Sequence, residues 1–153
     1  MENMRGKYFE ELLEGQVFWS SGRTVTDGDI SDFAHLSGDY NPLHLDLQYV
    51  KAHSVFSSRP PHGPLGLLFA MGMYDRIGLL EGTGMAFLDL NWKFIRPVLV
   101  GDTLRAKVTV ARKKETSKPD RGVITLHIQM HNQKDEAVQE GDHSFMVRRK
   151  PLD

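Results

Sequence analysis

Hydrophobic and polar residues alternate most cleanly in the second half of the chain. Residues 103–112 set Leu104, Ala106, Val108 and Val110 on one face against Arg105, Lys107 and Thr109 on the other. Residues 123–131 repeat the scheme with Ile124, Leu126, Ile128 and Met130 against Thr125, His127, Gln129 and His131. A period of two sends one face to a core and the other to water, so both stretches are expected to be strands of a half-buried sheet. Ser117-Lys118-Pro119-Asp120 turns the chain between them, a polar turn runs from Asn132 to Asp135, and residues 136–148 form the last strand. Residues 85–94 carry Met85 and Phe87 in one phase and Leu88, Leu90, Trp92 and Phe94 in the other, and this slip predicts a bulge near Phe87. A first strand is expected within residues 16–26, where Val17, Trp19, Thr24 and Val25 sit between polar neighbours after a Glu14-Gly15 turn.

Helical signals fill the gap between the first strand and the second. Thr26-Asp27-Gly28-Asp29 reads as a capping box with acidic residues at the positive end of a helix, followed by Ile30, Phe33 and Ala34 at helical spacing. Asp46 is placed to cap a short helix running to about Ala52, and residues 54–61 form a loop that ends in Pro60-Pro61. The most apolar segment follows. Over residues 63–80, Leu65, Leu67, Leu68, Phe69, Met71, Met73, Tyr74 and Ile77 lie on every side of a helix, which marks it as buried. Asp75 and Arg76 interrupt it well short of the roughly 20 apolar residues a bilayer span needs, so it is expected in a core and not in a membrane.

Five strands with one long buried helix inserted after the first describe an α+β hotdog arrangement, a curled antiparallel five-stranded sheet wrapped around the helix. The sheet can cover only one side of a helix that is apolar all round. A second copy of the chain is expected on the other side, giving a homodimer or a dimer of dimers. The 153 residues, 40% hydrophobic and 25% charged, are expected to form a single domain over residues 1–153. A formal charge of −1 supplies no field for nucleic acid or an anionic membrane, and the absence of cysteine excludes disulfides, thiolate nucleophiles and Cys-bound zinc. The opening Met-Glu-Asn-Met-Arg-Gly-Lys leads into acidic residues without an apolar run, so a cytoplasmic location is expected.

Candidate chemistry concentrates in residues 33–44. Gly38 can take the left-handed conformation that ends a helix and Pro42 pushes Asn41 out of the helical region, so Asp39 to His44 is expected to be an ordered loop that can aim a carboxylate and an imidazole into one space. The commoner role of an aspartate after glycine is to bind backbone N–H groups, and His44 alone would be an ordinary histidine. His44-Leu45-Asp46, with His53 and His62 nearby, has some metal-ligand character, but Asp46 is better explained as a cap and the spacing is not diagnostic; no metal and no cofactor are expected.

Leu36-Ser37-Gly38-Asp39-Tyr40-Asn41-Pro42-Leu43-His44 resembles the signature loop of the MaoC-like dehydratases, the group that includes the (R)-specific enoyl-CoA hydratases. The likeness continues through Phe56, Arg59-Pro60 and His62-Gly63, and through Phe94-Ile95-Arg96-Pro97-Val98 with Gly101-Asp102, so it covers about residues 13–147. It implies an acyl-CoA substrate, with Asp39 and His44 activating the water that adds to a trans-2-enoyl thioester. It also implies that the Gly63 N–H receives the thioester oxygen, and the start of a buried helix would independently leave that donor unpaired. Asn41 and His62 are expected to order the loop or touch substrate, and Arg96, with Lys93, to meet coenzyme A phosphates. Val50, Pro61 and Met71 depart from the family pattern, where a small residue, an aliphatic residue and, in some hydratases, a serine stand. A hotdog thioesterase and a non-catalytic acyl-CoA-binding module are the alternative readings.

Overall fold

The computed structural model describes residues 5–151. After a 3-10 turn at Phe9–Glu11 the elements run β1 (Val17–Trp19), β2 (Arg23–Thr24), α1 (Asp27–Ser37), α2 (Pro42–Leu45), α3 (Leu47–His53), α4 (Gly63–Ile77), β3 (Gly84–Leu90), β4 (Lys93–Phe94), β5 (Thr103–Glu115), β6 (Arg121–His131) and β7 (Ala137–Arg148). The five expected strands form one antiparallel sheet in the order β1-β5-β6-β7-β3. Two further strands of two residues each, β2 on β5 and β4 on β7, extend it, because the first and second expected strands each break into two pieces. The bulge expected near Phe87 is present as register shifts between Gly84 and Ala86 and between Phe87 and Asp89.

The alternating residues fill the core. Leu104, Ala106, Val108 and Val110 on β5 and Ile124, Leu126, Ile128 and Met130 on β6 are all fully buried, and they meet α4 through Leu65, Phe69, Ala70 and Met73. Complete burial of a Leu, Phe or Met side chain contributes about 1.5–3 kcal/mol, so this face of α4 fixes the helix on the sheet. The opposite face leaves Leu68 and Met71 exposed. Helix α4 ends at Ile77 instead of Leu80, where Gly78 takes the left-handed cap. The inner row of β7 differs from its neighbours, since Gln139 and His143 are buried there beside Phe145 and Val147. Gly141 lies between those two polar residues because the chain linking β3 to β4 crosses directly above it. A Cβ at that position would stand 2.0 Å from the Asn91 carbonyl oxygen.

His143 is fully buried among Tyr74, Phe87 and Trp92, with its Nδ1 3.4 Å from the Tyr74 hydroxyl. Burial pushes the imidazole down to about 4, against the opposing pull of Asp142, and the same burial, aided by Asp75, raises the Tyr74 phenol. The unfolded chain takes up this proton near pH 6.5, whereas the folded protein does so only near pH 4. Between those values the unfolded state therefore holds more protons, and stability falls as pH falls, by up to about 3 kcal/mol from this residue. Urea unfolding of wild type and His143→Leu from pH 7 to pH 4 should show a loss that is steeper in wild type. Parallel curves would exclude the buried histidine as its source.

Candidate active site

Local sequence builds the site on the ends of α1, α2 and α4. The Thr26 side chain accepts from the Asp29 N–H while the Asp29 carboxylate accepts from the Thr26 N–H, which starts α1 as the capping box requires. Gly38, at φ 76°, ends α1 by donating its N–H to the Ala34 carbonyl and releases the chain as Asp39. The segment from Asp39 to His44 is not a loop throughout. Asn41 caps a single turn by accepting from the Leu43 N–H at 3.0 Å, and Pro42 occupies the first helical position, where its missing donor costs nothing. His44 therefore sits on α2, and only residues 39–41 are loop.

These turns bring Asp39, His44 and His62 together, with one donor atom from each within 4.8 Å of the others. Asp39 is half-exposed; its Oδ1 accepts from the Asn41 N–H at 3.1 Å and its Oδ2 lies 3.8 Å from His62 Nε2. The loop-holding role of Asp39 is thus real, and it leaves the second carboxylate oxygen facing the histidines. His44 Nδ1 lies 2.8 Å from the Pro60 carbonyl. A carbonyl can only accept, so Nδ1 carries the proton and Nε2 presents a lone pair. His62 Nε2 is held in the same way at 3.0 Å by the Asp39 carbonyl. The two imidazoles stack at 3.9 Å and 29°. Each ring has given one nitrogen to a backbone carbonyl, which leaves one bare nitrogen on each. His53 lies apart, against Tyr49, and Asp46 caps α3 by accepting from the Gln48 and Tyr49 N–H groups.

His62 is the N-cap of α4 and Gly63 its first residue, so the Gly63 N–H has no intrahelical acceptor and lies at the positive end of the helix. A cavity of about 290 Å³ opens beside it, walled by Phe56, Pro60, Leu65, Phe69, Phe94 and Leu104. Leu67, Met71 and Tyr74 do not line this cavity. Arg96 is on its wall, exposed, with its guanidinium donating to the Ala137 carbonyl at 2.8 Å, and so lies outside the Asp39, His44 and His62 cluster.

Two polar side chains beneath the helix start carry no sequence signal. Trp92 Nε1 donates to Gln139 Oε1 at 2.9 Å, and Gln139 Nε2 donates to the Gly63 carbonyl at 3.2 Å. This buried bridge ties the sheet to the first turn of α4. It also explains Gly66, where a Cβ would stand 2.3 Å from Gln139 Oε1.

These features define a hotdog protein with an acid–base cluster at the start of its central helix. The family described as MaoC like domain matches residues 9–131, and the chain belongs to that family. An (R)-specific enoyl-CoA hydratase from Rhodospirillum rubrum is 39% identical over 103 residues, 67% of this chain and 69% of that protein. Protein MaoC of Klebsiella aerogenes is 37% identical over 110 residues, which span 70% of this chain but only 31% of that protein. The X-ray structure of a protein from Archaeoglobus, described as a monoamine oxidase regulatory protein, superposes with a TM-score of 0.88 at 33% identity, over 96% of this chain and 97% of that one.

The bridge to Gly63 yields a prediction for Gly66→Ala. The added methyl group must displace an amide that is hydrogen-bonded at both ends, so the variant should lose about 1–3 kcal/mol of stability in urea unfolding. Gly72→Ala, whose Cβ meets nothing within 4 Å, should not lose stability.

Proposed function

We propose that this chain hydrates trans-2-enoyl-CoA to (R)-3-hydroxyacyl-CoA and runs the reverse dehydration. The observation that carries the reading is the pairing of the Asp39 carboxylate with a His44 ring whose Nδ1–H is committed to Pro60, next to the free N–H of Gly63. Hydration needs a base for water, a proton for the α carbon and a donor for charge on the thioester oxygen. In this reading water lies between Asp39 and His44, whose donor atoms are no more than 4.8 Å apart, a gap that one water can bridge. The pair removes a proton from that water as its oxygen bonds to C3. The double-bond electrons move through C2 onto the thioester oxygen, where the Gly63 N–H holds them. The electron pair then returns to C2 and takes a proton delivered by the same pair, so one water is added and the pair ends as it began. The curated relative named as an (R)-specific enoyl-CoA hydratase supports the choice of substrate.

The homodimer belongs to the same reading. Leu68 and Met71 on the outer face of α4, and Leu88 and Leu90 on the edge strand β3, are exposed apolar side chains that a second copy would cover.

The test is loss of enoyl absorbance on crotonyl-CoA and on a longer trans-2-enoyl-CoA, with chiral analysis of the product. Wild type should turn over and give the (R) product. Asp39→Asn and His44→Gln should each lose at least about 100-fold in kcat, the usual scale for removing one member of an acid–base pair. Release of free thiol without loss of the enoyl chromophore would replace this reading with a thioesterase.

A further inference from the structure

We propose that His62 is a positioning residue that locks the two reacting side chains and the oxyanion donor into one rigid unit, an inference that rests on the hydratase reading above. His62 is only 2% exposed, yet it is polar and touches all three parts of the site. Its Nε2–H holds the Asp39 carbonyl at 3.0 Å, which fixes the backbone that carries the carboxylate. Its ring stacks on His44 at 3.9 Å, which together with the Pro60 contact fixes the plane of the basic imidazole. Its own backbone is the N-cap of α4, joined directly to Gly63. Phe33, projecting from α1, backs the His62 ring at 4.5 Å and 32°. Three rings from three separate elements thus stand in one stack, and the middle ring is the one anchored to the helix start.

The tautomer follows from the contacts. A carbonyl acceptor places the proton on Nε2, so Nδ1 is bare, and Nδ1 is buried without a hydrogen-bond partner. An unpartnered buried nitrogen is a cost that a purely structural position would shed, since a phenylalanine would fill the same stack between Phe33 and His44 without it. What phenylalanine cannot supply is the bond to the Asp39 carbonyl. A residue that only tightens geometry affects the transition state more than ground-state binding, because misplacement by about 1 Å can cost on the order of a hundredfold in rate.

The experiment separates the two contacts. His62→Phe keeps the stack and loses the donor; His62→Gln keeps a donor of similar reach and loses the ring; His62→Ala loses both. On a trans-2-enoyl-CoA, His62→Phe and His62→Gln should each lose about tenfold in kcat with KM within about twofold of wild type, and His62→Ala should lose more than either. Folded variants with wild-type kcat would overturn the proposal, as would a rise in KM at unchanged kcat. So would a loss in His62→Phe as deep as that of Asp39→Asn, which would make His62 a reacting group. Nitrogen-15 spectra of the imidazoles in wild-type protein give a second readout that needs neither turnover nor a folded variant. His62 should carry its proton on Nε2 and His44 on Nδ1, and a proton on Nδ1 of His62 would overturn the proposal. If wild type shows no turnover, the hydratase reading fails, while these spectra still decide the geometry assigned to His62.

Discussion

Helix α4 is the constraint from which the remaining structure follows. Its apolar residues cannot face water on every side, so the strands that alternate most regularly, β5 and β6, turn their buried rows toward it and the sheet curls to follow its length. A helix laid across a sheet in this way has two ends the sheet does not cover. The C-terminal end closes on itself through Gly78. The N-terminal end leaves the Gly63 N–H without an intrahelical acceptor, since Pro64 has no donor and the Leu65 N–H bonds back to the His62 carbonyl, and the segment carrying α1, α2 and α3 is long enough to fold back over it. Packing therefore places the Asp39, His44 and His62 cluster at the end of the helix where the Gly63 donor remains available.

That location explains why the inner row of β7 is partly polar. A row matching β6 would have filled positions 139 and 143 with aliphatic side chains, and the start of α4 would then have rested on packing alone. Gln139 instead reaches from the sheet to the Gly63 carbonyl and is itself held by Trp92. A directional bond fixes the height and rotation of the first turn, which van der Waals contact would leave looser. His143, two positions beyond Gly141, meets the Tyr74 hydroxyl at 3.4 Å through Nδ1, and its Nε2 is buried without a hydrogen-bond partner. The two buried polar residues of one strand thus differ in kind: one ends in satisfied contacts at the site, the other in an unfilled one in the core.

Legibility in the sequence followed the range of the interactions. Period-two alternation is a local signal of one strand against one core, and it identified the buried residues of β5 and β6 and the phase slip in β3. Caps within three residues were equally readable, at Thr26 and at Asp46. The Asp39 segment was readable as an ordered stretch but not as a turn of helix, because Asn41 and Pro42 break one helix with the same features that begin another. The long helix read as apolar all round, although its outer face is open in this single chain. Pro60, Gln139 and Trp92 were not readable as parts of the site. Each acts across 16 to 76 residues of sequence, through one backbone carbonyl or one amide, and no spacing rule marks such a contact.

The two histidines show how backbone geometry can give identical side chains different settings. Both imidazoles are anchored by a carbonyl, but through opposite nitrogens: Nδ1 of His44 and Nε2 of His62. The bare nitrogen of His44 belongs to a half-buried residue beside a half-exposed carboxylate. The bare nitrogen of His62 is closed off from solvent. His62 is left with a fixed ring face and a fixed donor. The difference in setting therefore comes from which backbone carbonyl each ring meets, and those carbonyls, of Asp39 and Pro60, lie on the two loops that frame α2 and α3.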